Sequence, residues 1–297
     1  MRLKKSLKHT SVNVPVRAGT LCVVPSKDGT PVSYEIFGTG DPLLVFVHGW
    51  NGDSRYWRAQ IPYFSKHYRI VSLDLAGHGH SGTSRSRYTM KSFGEDVHAV
   101  TEAINSHNVI LIGHSMGGLA IAEAARLMPD RVIGLIGVDT LQNIEQTITR
   151  QFFETIMTPM KKDFQTGIRQ FAERMFSPDI DRQLKEWLLA DLSAASPDVA
   201  FSTMEEMMLP CITGELAKVF EEIRAPVITI NGDLTPINYE ANRRHMIYFD
   251  AVVLEGADHF LFMTQPDAFN LLLKSAIDKI LKIHRQQDWV LKNTDEP

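Results

Sequence analysis

An uninterrupted apolar run, Val109-Ile110-Leu111-Ile112, passes directly into Gly113-His114-Ser115-Met116-Gly117-Gly118 and then into an Ala-rich segment that reaches Leu127. Few backbone arrangements satisfy that order. The run reads as a buried strand, G-x-S-x-G as a sharp turn, and the Ala-rich stretch as a helix. So tight a bend has no room for side chains at Gly113 and Gly117. It holds Ser115 in a strained conformation with its hydroxyl lifted clear of the sheet. Five matching residues recur by chance. The strand before them and the helix after them are what point to a nucleophilic serine.

The rest of the chain supplies the sheet that such a turn needs. Residues 21–24 and 32–37 read as a hairpin, with Ser26-Lys27-Asp28-Gly29 as its turn. Apolar strands follow at 43–47, 69–73, 109–112, 132–138, 227–230 and 251–254, most of them separated by helical segments such as 57–64 and 90–105. Strands alternating with helices imply an α/β fold: a mostly parallel sheet covered on both faces, with the opening hairpin as an antiparallel edge. Between 141 and 220 the strands stop. Helices are predicted near 142–157, 162–175, 181–194 and 197–208, punctuated by Pro159, Pro178, Pro197 and Pro210. The expected organisation is a flexible basic arm at 1–20, a core at 21–140 and 221–285, a helical cap insertion at 141–220, and a tail at 286–297. At 297 residues and 44% hydrophobic content, one large core is within reach.

A formal net charge of −4 gives no reason to expect nucleic acid or an anionic membrane as the main partner. The basic start, Met1 to His9, is not followed by the apolar run of a signal peptide, and no later window is long enough to span a bilayer. Cys22 and Cys211 lack zinc-site spacing and read as free thiols, which fits a cytoplasmic setting.

A serine needs a base to take its proton, and the base needs a group that fixes its tautomer. His259 is, of the 11 histidines, the one in a loop directly after a late strand. Asp233 follows the strand at 227–230 and gives the chain order Ser115, Asp233, His259, so it is the preferred acid. Asp139, which ends the strand at 132–138, is the alternative. Asp258 adjoins the histidine and is poorly placed to fold back onto it. The developing oxyanion needs two donors. They are assigned to the backbone N–H of Met116 and to that of Trp50, in the loop His48-Gly49-Trp50-Asn51-Gly52.

These segments together resemble the α/β-hydrolase fold superfamily, through His48-Gly49-Trp50, Asp74-Leu75-Ala76-Gly77-His78-Gly79-His80-Ser81-Gly82, Gly113 to Gly118, and Asp233 with His259. The resemblance covers roughly residues 21–283 and implies an eight-stranded, mostly parallel sheet with a helical lid over the site. One departure stands out. The acid loop of that superfamily commonly reads G-x-x-D-x-x-x-P, whereas here Gly232 directly precedes Asp233 and Pro236 comes one position early. The resemblance also implies a cofactor-independent serine hydrolase that cleaves a small or medium carboxylic ester through an acyl-enzyme on Ser115. The alternatives are a carbon–carbon bond hydrolase of the same fold, which shares the triad, and a non-catalytic ligand receptor that has kept the fold.

Other patterns are weaker. Gly77 to Gly82 formally matches G-x-G-x-x-G, but the loop-like Thr83 to Tyr88 follows where a dinucleotide site needs a helix. Asp74, His78 and His80 have no third cluster to make a metal site and read as a structural turn. Neither cofactor nor metal is expected. His48 and His114 are read as local packing. Phe152, Phe153, Met157, Met160, Met204, Met207 and Met208 are read mainly as packing, with some facing the cleft if the insertion is a lid.

Overall fold

The computed structural model describes residues 2–3 and 19–294, with side chains from 19 to 286. Its strands are β1 (Arg2–Leu3), β2 (Thr20–Pro25), β3 (Pro31–Phe37), β4 (Leu43–Val47), β5 (Arg69–Leu73), β6 (Val109–His114), β7 (Val132–Val138), β8 (Val227–Gly232) and β9 (Phe249–Leu254). They form one sheet in the order β1-β9-β8-β7-β6-β4-β5-β3-β2. The eight strands from β2 to β9 are the sheet expected from the sequence. The hairpin β2–β3 and the β3–β5 pair are antiparallel, and every pair from β5 through β4 and β6 to β9 is parallel. Every residue of β4, β6, β7 and β8 is buried, because helices cover both faces and no solvent side exists.

Two expected boundaries differ. Arg2 and Leu3 pair in parallel with Val253 and Leu254, so part of the anticipated arm adds a short strand to the open backbone edge of β9. Residues 4–18 lie outside the described residues. The anticipated tail at 286–297 does not begin at 286, because the helix Pro266–Thr294 runs on past it to Thr294. The sequence offers no glycine or proline between 267 and 294 to stop that helix.

Five α-helices fill the stretch between β7 and β8: Arg150–Lys162, Phe164–Ala172, Arg182–Ser193, Pro197–Thr213 and Leu216–Glu221. Thr149, Asp163 and Asp181 cap the first three by accepting from the backbone N–H of Phe152, Thr166 and Leu184. The first helix begins at 150 rather than 142 because residues 141–149 form a loop. Leu141 has φ +58°, and Ile144 N–H is taken by the Asn242 side chain. Pro159 and Pro210 lie inside helices rather than between them. Among the described residues no helix is long and apolar enough to cross a membrane.

In such a sheet the loops at the carboxyl ends of the parallel strands gather along one edge. Those after β4, β6, β7, β8 and β9 carry Trp50, Ser115, Asp139, Asp233 and His259, in that order along the chain.

Candidate active site

Ser115 sits at the turn from β6 into the helix Gly117–Leu127 with φ +51°, the left-handed conformation a nucleophile elbow imposes. A non-glycine residue there costs on the order of 1–2 kcal/mol, so the turn must be held by its surroundings. Ser115 N–H donates to Val138 O at the end of β7, at 2.9 Å. A Cβ on Gly113 would lie 2.3 Å from Gly117 O, and one on Gly117 would lie 2.6 Å from His48 O. Only glycine fits either place.

His259 is held on three sides. Its Nδ1 lies 2.6 Å from Asp139 Oδ2, its backbone N–H donates to Met175 O of the cap at 3.0 Å, and its carbonyl accepts from His114 Nε2 at 3.0 Å. The carboxylate can only accept, so the imidazole proton lies on Nδ1 and Nε2 is left as a base. Ser115 and His259 border the same cavity. Among the described residues no hydrogen bond joins their side chains. In structures without substrate such contacts are commonly long and tighten in the complex.

The acid beside His259 is thus Asp139, and the preference for Asp233 is corrected. Asp233 is exposed, and its Oδ2 accepts from Gly256 N–H at 2.8 Å. The shortened loop is the cause. β8 continues through Gly232, whose Cβ position lies 2.4 Å from Ala257 O, so the chain there is pressed against the histidine loop and the next side chain is directed outward. What the end of β8 contributes instead is a donor, since Gly232 N–H bonds Asp139 Oδ1 at 3.0 Å.

Asp139 itself has φ +44°, and its N–H donates to Ile230 O at 3.0 Å. Asn231 grips the next residue, accepting from Thr140 N at 3.3 Å and donating to Thr140 O at 3.2 Å. Asn242 does the same one turn on, donating to Leu141 O at 2.7 Å and accepting from Ile144 N at 3.1 Å. Asn231 and Asn242 do not stand out in the sequence. The one signal there is an Asn closing the apolar run of β8, where a polar side chain must find a partner.

The loop after β4 is set by His48. Leu75 N–H donates to His48 Nε2 at 3.0 Å, so the ring proton is on Nδ1, which donates to Gly49 O at 2.8 Å. Gly49 O and Trp50 N–H are opposite ends of one planar trans peptide, so fixing the carbonyl fixes the direction of the N–H. Among the described residues neither Trp50 N–H nor Met116 N–H donates to any group. Both residues border the cavity that Ser115 and His259 share, and Met116 also opens a helix, where the dipole favours negative charge.

The remaining candidates have structural partners. Asp74 accepts from Ser54 N and His80 N, both at 2.8 Å, and Ser81 Oγ donates to Asp74 O at 2.5 Å, which knits the 74–82 turn. No helix starts there before Met90. His78 and His114 are buried, and burial is the largest cause that pulls both pKa values down, His78 to about 3 and His114 well below the ordinary range. Asp258 accepts from Phe260 N, Thr264 Oγ1 and, at 3.2 Å, Ser177 N of the cap. Burial raises its pKa. It braces the histidine loop without touching the imidazole.

The cavity has a volume of about 430 Å³. Of the apolar cap residues considered from the sequence, Phe152, Met204, Met207 and Met208 line it, while Phe153, Met157 and Met160 are buried in cap packing.

Residues 42–206 match a family profile described as alpha/beta hydrolase fold. The chain is 28% identical over 260 residues to 3-oxoadipate enol-lactonase 2 of Acinetobacter baylyi, covering 84% of this chain and 93% of that one. It is 28% identical over 265 residues to pimeloyl-[acyl-carrier protein] methyl ester esterase of Aliivibrio fischeri, covering 84% and 98%. Among solved structures it resembles an esterase from Exiguobacterium antarcticum, with a TM-score of 0.75, 20% identity, and coverage of 86% of this chain and 98% of that one. Sheet, elbow and profile agree: the chain belongs to the alpha/beta hydrolase fold family and is an enzyme of that family.

Proposed function

We propose that the protein is a serine hydrolase that cleaves carboxylic esters through an acyl-enzyme on Ser115. The observation that carries this reading is the 2.6 Å contact between His259 Nδ1 and Asp139, beside an elbow serine and two unpaired backbone N–H groups. Ser115 Oγ attacks the ester carbon as its proton passes to His259 Nε2. The N–H groups of Trp50 and Met116 hold the tetrahedral oxyanion, and removing one such donor commonly costs ~10²–10³ in rate. Asp139 keeps the imidazole in the accepting tautomer and stabilises its cation. Collapse expels the alcohol, which takes the proton from His259. Water, deprotonated by His259, then attacks the acyl carbon and frees the acid and Ser115. Unbridged Cys22 and Cys211 fit a cytoplasmic setting for this chemistry.

Fluorophosphonate labelling with peptide mapping tests the assignment. Folded protein should be labelled stoichiometrically at Ser115. Ser115→Ala should take no label and lose ester turnover. A Ser115→Ala protein with full turnover would falsify the mechanism. Turnover of vinylogous diketones with negligible ester hydrolysis would instead favour a carbon–carbon bond hydrolase.

A further inference from the structure

The cavity beside Ser115 has two unlike ends. Under the cap its wall is mostly apolar, with Phe152, Ile156, Phe171, Met204, Met207 and Met208 among the residues that form it, and it carries no charged group. At the other end Gln142, Asn143, Gln146 and Thr235 line the cavity and also line a groove that continues outside it past Asn238, Tyr239 and Glu240. Among the described residues bordering the cavity there is no Lys or Arg, and its one carboxylate, Asp139, is already engaged by His259 and Gly232.

Resting on the reading of Ser115 as an esterase nucleophile, we infer that the ester joins an uncharged, apolar acyl group, seated under the cap, to a neutral, hydroxyl-bearing alcohol that is met at the amide-lined mouth. The acyl half follows from charge. A carboxylate buried at the cap end would lose its hydration and find no cation and no charged partner, which is among the more costly things a pocket can impose. Unbranched methionines fill space around chains of differing shape without adding a polar contact. The alcohol half follows from topology. Gln142, Asn143 and Gln146 follow Asp139 off β7, and Thr235 follows β8, the strand between β7 and β9. The polar mouth therefore flanks His259, whose Nε2 returns the proton to the departing oxygen. Trp50, on the β4 side, lies at the opposite flank of Ser115. The mouth is held in shape, since Asn238 N–H donates to Gln142 O at 2.7 Å and Asn143 Oδ1 accepts from Glu145 N at 3.1 Å. The side-chain amides of Gln142 and Gln146 have no protein partner among the described residues, which leaves donors and acceptors of the kind a hydroxyl satisfies. Glu240 is the one charged residue along the groove, which disfavours a phosphate-bearing leaving group.

Initial rates of the full-length protein on four esters test both halves: ethyl hexanoate, 1-hexanoylglycerol, hexanoylcholine, and monoethyl adipate, whose acyl chain ends in a carboxylate. The expected kcat/KM for hexanoylglycerol is about tenfold above ethyl hexanoate, the worth of one or two net hydrogen bonds. Monoethyl adipate should fall at least about 100-fold below it, for an unpaired buried charge. Gln146→Leu should bring the glycerol-to-ethyl ratio towards one. Monoethyl adipate turned over as fast as ethyl hexanoate overturns the acyl assignment. Hexanoylcholine preferred over hexanoylglycerol, or a glycerol-to-ethyl ratio of one in the unmodified protein, overturns the alcohol assignment. These outcomes leave Ser115 labelling intact. If no ester reacts and Ser115 takes no fluorophosphonate label, the esterase reading itself fails and this inference falls with it.

Discussion

Asp139→Asn and Asp233→Asn make a paired test of which carboxylate serves His259. Asp139 has two different duties. Oδ1 accepts from Gly232 N–H at 3.0 Å and Oδ2 accepts from His259 Nδ1 at 2.6 Å. An asparagine has one acceptor oxygen and one donor nitrogen. Gly232 N–H can only donate, so the oxygen stays there and the NH₂ group faces Nδ1. Nδ1 must then accept, the ring proton moves to Nε2, and Nε2 can no longer take the proton of Ser115. The geometry is kept and the tautomer is wrong. Such a change costs about 10⁴ in kcat, or about 5.4 kcal/mol at 1.36 kcal/mol per decade. Asp233→Asn keeps an oxygen for Gly256 N–H and is exposed, so kcat should change by no more than about threefold and stability by about 0.5 kcal/mol. Steady-state rates on a chromogenic ester, with melting curves for both variants, read the contrast. An Asp139→Asn enzyme within about tenfold of the unmodified rate, beside an Asp233→Asn enzyme down about 100-fold, would return the role to Asp233.

Two further outcomes concern stability. His78 has its pKa lowered to about 3 by burial, so on acidification the unfolded chain takes up a proton near pH 6.5 while the folded chain does not. Folding stability is therefore lost as pH falls below that value, by up to about 1.4 kcal/mol per pH unit from this group. Denaturant titrations at pH 7 and pH 5 should show a smaller difference in His78→Gln than in the unmodified protein, and an unchanged difference would refute the linkage. Arg85, with a side chain 3% exposed, pairs with the fully buried carboxylate of Asp96 and also reaches Asp28. Arg85→Met should cost about 3–5 kcal/mol by stranding Asp96, and adding Asp96→Leu should recover much of it. Additive losses in the double variant would show that the two side chains do not act as a pair.

The sheet was legible because its rules are local. A strand covered on both faces must be buried along its whole length, and β4, β6, β7 and β8 are, with runs of Val, Leu, Ile and Phe broken only by glycine, Thr229, and the polar residues His114 and Asn231 near their ends, so their existence and order could be read directly. The elbow was legible because two glycines and a serine admit few backbones. Helix boundaries in the cap were less so. Periodicity carries the apolar pattern back past Thr149, whereas the true start is set by where Thr149 caps and where Asn242 seizes Ile144 N–H, a contact 98 residues away in sequence. Pro159 and Pro210 read as stops, yet packing retains both inside helices.

The acid was ambiguous for a related reason. Chain order and residue type both allow Asp233, and nothing in the sequence states which way a side chain leaves a strand end. That direction is decided by the two residues missing between Gly232 and Asp233. With Gly232 immediately before Asp233, β8 runs close against the histidine loop, where a Cβ on Gly232 would lie 2.4 Å from Ala257 O, and its last N–H, not its next carboxylate, reaches the catalytic side, bonding Asp139 Oδ1. The carboxylate must then come from the neighbouring strand. β7 can supply it only because Asn231 and Ile230 of β8 hold Asp139 and Thr140 in a turn with φ +44° at Asp139. The two strand ends thus divide one role between them, β7 carrying the charge and β8 carrying the hydrogen bonds that aim it. Removing the Asn231 amide should therefore cost activity without removing any group that touches the imidazole, a loss that chain order alone could not anticipate.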